Sequence, residues 1–141
     1  MPGGYSIDPA RSLVLSRAWD VLTGADLSRH ARTLASDPGF KPDFNQLCDF
    51  RDVTEVRADA AAIRELAALN PFGAGARRAL VVSSDVVFGM ARMYQILTET
   101  SPDEFEVFRD LDEALKWLGV ADEKAELLRA LSATAPLTQT D

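Results

Sequence analysis

One cysteine and one histidine in 141 residues remove several chemistries at once. A lone thiol closes no intramolecular disulfide, and a single imidazole leaves no ligand set for zinc, so no metal or other cofactor is expected and a reducing, cytoplasmic setting fits. Long apolar runs are missing too. No stretch approaches the ~18 residues a membrane helix needs, and the opening MPGGYSIDPARSLVLS has no basic segment leading into an apolar one. Neither membrane insertion nor export is expected. Positive charge is in deficit: 15 Lys+Arg face 22 Asp+Glu for a net charge of -7, which repels phosphate backbones and argues against nucleic acid as a partner. What is present, 47% apolar and 26% charged residues, has ordinary globular proportions, and the length suits one domain whose core holds without cross-links.

Periodicity supplies the organisation. YSI, the turn candidate DPAR and SLVLSRAW predict an N-terminal β-hairpin. TGADLSRHARTLASDP switches to helical spacing, with Thr23 as N-cap, Asp26 as its box partner and Pro38 past the end. QLCDFRDV reads as a central strand, followed by a helix that Asp59 can cap and that turns Ile63, Leu66 and Leu69 inward. The grammar repeats with the loop FGAGA, the strand RRALVVS and a helix from about Asp85, then with EFEVFRD and DLDEALKWLG, the latter closed by Gly119. ADEKAELLRALSA predicts a further amphipathic helix. Strand and helix units alternating after a hairpin call for an α/β fold, with a mixed, mostly parallel sheet of about five strands under covering helices.

Several residues invite chemistry and have plainer roles. Asp49 and Asp52 sit near a strand's C-terminal end, but residues three apart on a strand point to opposite faces, so they are expected to bond a loop backbone and to pair with Arg51 or Arg57 rather than to act as acid and base. FGAGARR runs from helix into strand, the reverse of a phosphate loop, and its glycines suit a helix exit and turn. Arg77 and Arg78 are expected in solvent, with lining of an anionic-ligand pocket as the alternative. His30 has no catalytic partner at a suggestive spacing, and Cys48 lies in an apolar strand where thiols behave as small hydrophobes. Ser83, Ser84 and Asp85 mark a helix N-terminus, with Ser84 as N-cap. The third helix, DVVFGMARMYQILTET, is apolar on two sides. Val86, Met90, Met93 and Leu97 form one stripe, while Val87, Phe88, Ala91, Tyr94 and Ile96 form the other, leaving Arg92 and Gln95 for water. One side packs on the sheet, and the other meets the terminal helix, a second subunit or an apolar ligand. Phe88, Met90, Arg92, Met93 and Tyr94 are the candidate ligand or partner surface.

The order of elements, with QLCDFRDVTEV leading into a helix, RRALVVSSDVVFGMARMY in the middle and VFRDLDEALKWLG near the end, resembles the SpoIIAA-like group of bacterial proteins over roughly residues 5–119. These are relatives of STAS domains and are sometimes grouped with lipid-binding SEC14-type folds. The resemblance implies a SpoIIAA-like (STAS-like) domain over 1–119, to which 120–133 adds a C-terminal helix and 134–141 a loose tail. Its better understood members look like phosphorylation switches with a D-S-S-G segment where a strand meets a helix. Laid on this chain, the pattern puts Asp52 and Thr54 on the strand exit and Arg57, Ala58 and Asp59 where Asp, Ser and Ser would sit, so the acceptor serine is absent. The function implied is a non-enzymatic interaction or regulatory domain without the switch, acting as a homodimer or with another regulatory protein. The alternative, from the SEC14 side, is binding of a small hydrophobic ligand or lipid in an apolar pocket beside the third helix.

Overall fold

The structure, a computed structural model, describes residues 1–137. Five strands form one sheet in sequence order: β1 (Gly3–Asp8), β2 (Leu13–Thr23), β3 (Asn45–Arg57), β4 (Arg77–Val82) and β5 (Glu104–Phe108). β1 and β2 pair antiparallel, and every later pairing is parallel. Between parallel strands run α1 (Gly24–Ala35), α2 (Ala60–Ala68) and α3 (Asp85–Leu97). After β5 come α4 (Leu111–Leu118), a 3-10 turn at Ala121–Glu123 and α5 (Lys124–Ser132). The expected α/β fold, with its N-terminal hairpin and mixed, mostly parallel sheet, is the one observed.

Local chemistry sets the helix boundaries. Thr23 and Asp26 form a reciprocal capping box: the Asp26 N–H donates to Thr23 Oγ1 at 3.1 Å and the Thr23 N–H to Asp26 Oδ2 at 3.0 Å. Asp59 caps α2 by accepting from the Ala62 N–H at 2.8 Å, Ser84 caps α3, and Gly119 ends α4 at a φ of 77° that favours glycine.

Parallel crossovers are right-handed, and three in a row that each step to the next strand in the same direction lay their helices on the same face. α1, α2 and α3 accordingly share one face of the sheet, and the chain after β5 covers the other with α4 and α5. Beneath α4 and α5, Leu13, Leu15, Leu47, Ala79 and Val81 meet Leu111, Leu115, Leu118, Leu127 and Leu131, all buried. On the other face, Ala18, Leu22, Val53, Leu80 and Val82 of the sheet meet Ala31, Leu34, Ile63, Val87 and Ala91 of α1–α3.

The C-terminal helix, anticipated as an addition to the domain, shares this core through Leu127 and Leu131. Arg11 at the hairpin turn ties it down, pairing with Asp8, Glu123 and Glu126. Of the tail anticipated as loose, residues 134–137 run beside β1: the Leu137 N–H donates to the Gly3 carbonyl at 2.8 Å, and a Cβ on Gly4 would lie 2.1 Å from the Ala135 carbonyl oxygen. Residues 138–141 lie outside the described part of the chain.

Candidate functional site

Between the sheet and α1–α3 lies a cavity of about 140 Å³. Most of its wall is apolar, with Ala18, Phe50 and Leu80 below and Leu27, Met90 and Ala91 above. The polar residues on its floor share one sheet face. Register places Gln46 of β3 directly beside Arg78 of β4, and Ser16 of β2 beside Cys48. Period-two alternation then aims Ser16, Gln46, Cys48, Arg78 and Leu80 at the same helix layer.

Arg78 is the exceptional residue. Its side chain is 6% exposed and its partner Asp103 is fully buried, with Nε donating to Asp103 Oδ2 at 2.6 Å. Asn70 donates to the other carboxylate oxygen at 2.9 Å, and Arg78 Nη1 donates to the Tyr94 hydroxyl at 3.0 Å. The guanidinium lies 4.9 to 5.4 Å from the ring centres of Phe72, Tyr94 and Phe105, within cation–π range. Nη2 is buried and makes no hydrogen bond to any protein atom described. Asp103 holds Nε and Tyr94 takes Nη1, which leaves Nη2 as the guanidinium nitrogen without a protein acceptor among the described residues.

A second polar group borders the cavity. Gln46 Nε2 donates to Ser16 Oγ at 3.0 Å, and Ser16 Oγ lies 3.0 Å from His30 Nε2. Ser16 Oγ has two lone pairs and one proton, so it can accept from Gln46 and either accept from or donate to His30 Nε2, which suits both tautomers of a neutral ring. Desolvation pushes the His30 pKa down to about 4, in keeping with that state. His30 therefore does have a serine partner, supplied by the strand before its helix, which sequence spacing does not show. Cys48 also lines the cavity, with its pKa raised by desolvation and by Asp49, so the thiol stays protonated and unreactive.

The residues singled out in sequence fall in different places. Of the α3 set, Met90 and Tyr94 line the cavity, whereas Phe88 packs under the Arg109 guanidinium 4.3 Å away and Arg92 is exposed, donating to Gln95 Oε1 at 2.9 Å. Met93 is partly buried outside the lining. The terminal helix does not cover α3, because it crosses the opposite sheet face, and Val86 and Ile96 stand 66% and 62% exposed. Asp49 does bond backbone, the Arg51 N–H at 3.1 Å, but in its own strand rather than in a loop, and it also takes the Arg51 guanidinium in two contacts of 2.8 and 2.9 Å, while Asp52 pairs with Arg17 at 3.3 Å rather than with Arg51 or Arg57. The switch-region residues stand apart from the cavity. Thr54 is exposed and donates to the Asp20 carbonyl, Arg57 pairs with Glu55, Ala58 is in the connecting loop, and the Asp59 carboxylate is engaged as a cap. Ser83 is exposed, and Asp85 pairs with Arg109 at 2.6 Å. Arg77 is exposed as expected, pairing with Glu104, but Arg78 is not in solvent. Ser16, Gln46, Asn70 and Asp103 carried no sequence signal of their own. For Arg78 the signal was parity with Leu80 and Val82, ambiguous because both faces of this strand are covered.

No family model matches the chain, and neither does any curated protein. Among solved structures it is similar to an uncharacterized protein of the DUF3478 family from Shewanella loihica PV-4, which has a SpoIIAA-like fold. Identity is 20%, coverage is 82% of this chain and 94% of that one, and the TM-score is 0.53. The fold is SpoIIAA-like. The cavity lies between the sheet and its crossover helices, and Ala58 and Asp59 of the β3–α2 connection are not among its lining residues. No helix of the described residues is long and apolar enough to cross a membrane.

Proposed function

We propose that this chain is a non-catalytic, cytoplasmic binding protein that holds a small, mainly apolar molecule between its sheet and α1–α3. The supporting observation is the cavity itself, apolar over most of its wall and furnished at one end with a buried, incompletely bonded guanidinium. Pockets that hold small molecules have this composition, with few polar groups to orient the guest and apolar wall to retain it. The acceptor serine of the switch pattern has no counterpart at Ala58 and Asp59, so regulation by phosphate at that exit is not part of this reading. Native mass spectrometry of the purified protein, followed by solvent extraction, tests it. A bound small molecule, or uptake of one from an apolar library, is expected. A protein that arrives empty and takes up nothing contradicts it.

One observation favours a second role. Val86, Ile96 and Leu97 leave apolar surface on the outer side of α3, which suits a contact with a second copy or a regulatory protein. Sedimentation should then show a dimer that Val86→Lys with Ile96→Lys converts to a monomer, and a wild-type monomer at high concentration would exclude self-association.

A further inference from the structure

Resting on the contact role of the outer side of α3, we infer that this side meets a second copy of the chain, α3 against α3, in an antiparallel crossing centred on Gly89. Three observations converge there. The first is Gly89 itself. It is exposed in the interior of a 13-residue helix, where glycine is the least favourable residue after proline, and a Cβ built on it meets nothing within 4 Å. Packing within its own chain therefore gives no reason for a glycine. A second helix laid across that point does, since two axes come closest where no side chain stands between them. The second is the apolar surface around it. On a helix the neighbours of Gly89 are the positions three and four away, Asp85, Val86, Arg92 and Met93. Val86 is exposed at one end of this patch and Ile96 at the other, and the terminal helix crosses the opposite sheet face.

The third is charge, and it selects the partner. Helical spacing sets Asp85 and Arg92 on one flank of Gly89, and Val86 and Met93 on the other. A two-fold axis perpendicular to the helix and passing beside Gly89 reverses the second helix and keeps each flank in place. Asp85 then faces Arg92 of the second copy and Val86 packs on Met93 of the second copy, each contact made twice. Both charged groups are within reach: Asp85 is 89% exposed and Arg92 is exposed, bonded in their own chain to Arg109 and Gln95. Such self-complementarity is what a two-fold contact between identical chains requires, and an unrelated partner has no need of it. A parallel crossing would set like charges at the same level.

Charge exchange, followed by sedimentation over a concentration series, tests the crossing. Asp85→Arg and Arg92→Asp should each raise the dimer Kd more than about tenfold, because each sets like charges face to face twice. An equimolar mixture of the two variants should dimerise as tightly as the wild type, since every facing pair is then of opposite sign. Gly89→Leu should be monomeric and melt no lower than the wild type, because the space around Gly89 is open in the single chain. The charge exchange decides the matter alone if Gly89→Leu does not fold. Single variants that dimerise like the wild type, a mixture that stays monomeric, or a Gly89→Leu dimer of wild-type strength overturns the antiparallel crossing, and a dimer still broken by Val86→Lys with Ile96→Lys then leaves the contact role of α3 standing. A dimer that survives those two lysines lies elsewhere, and both fall together. A wild type that stays monomeric throughout overturns the inference and leaves the face to a different protein.

Discussion

Replacing Ala91 with leucine should stabilise the protein, which is unusual for enlarging a buried residue. Ala91 is 6% exposed on the inner side of α3 and its methyl group lines the cavity. Leucine adds three carbons to that position, and at about 0.8 kcal/mol per buried carbon the gross gain is about 2.4 kcal/mol. Ordering the leucine side chain costs roughly 0.5–1 kcal/mol, and the helix propensities of the two residues differ little, so a net gain of about 1.5 kcal/mol is expected. For a domain of this size that raises Tm by about 3–6 °C. Urea unfolding at unchanged m value measures it, since a changed slope would signal an altered unfolded or native state rather than a filled void. The same variant should no longer bind ring-sized apolar guests. Overpacking a full core instead costs about 1–3 kcal/mol. A destabilisation of that size would show that the helix layer is already closed on the sheet, and the reasoning would be refuted.

Asp103→Asn alone should cost about 3–5 kcal/mol, because it leaves the Arg78 charge buried without its counter-ion, and adding Arg78→Met should return much of that loss in a double-mutant cycle. His30 predicts a pH dependence of definite sign. Its pKa is about 4 in the folded state against 6.5 unfolded, so as pH falls from 6.5 to 4 the unfolded chain takes up a proton that the native state refuses. This contribution to stability is complete above 6.5, is lost on the way down to 4 and is flat below, and His30→Gln should remove that part of the slope in denaturant melts between pH 7 and 4.5. Asp59→Ala should cost about 1 kcal/mol through the lost cap of α2, measured by urea melts, and leave guest binding unchanged because the cap stands outside the cavity.

Much of the fold was legible because local signals agreed with tertiary context. The Thr23 and Asp26 box, the Asp59 and Ser84 caps and the Gly119 exit are short-range chemistry that a sequence displays directly. The Leu111, Ala114, Leu115 and Leu118 stripe has a single possible inner face, and all four residues are buried. The site was less legible for two physical reasons. Strands covered on both faces lose the polar/apolar alternation that separates inside from outside, so Arg77 and Arg78 look alike in sequence although one is exposed and the other 5% exposed. The partners of Arg78 and His30 come from distant positions, Asp103 and Ser16, brought together by sheet order and not by spacing. Two of the α3 residues singled out, Met90 and Tyr94, line the cavity, but the helix's two apolar sides could not be ranked before the path of the terminal helix was known.

The central claim is that a guest-sized apolar space exists between α1–α3 and the sheet, and a crystal pressurised with xenon tests it most directly. Apolar cavities of this volume bind xenon. The account predicts a strong anomalous peak bounded by Ala18, Leu80, Val87 and Ala91, absent from crystals of Ala91→Leu. A wild-type crystal with no peak there, and well-ordered side chains filling the space, would contradict it.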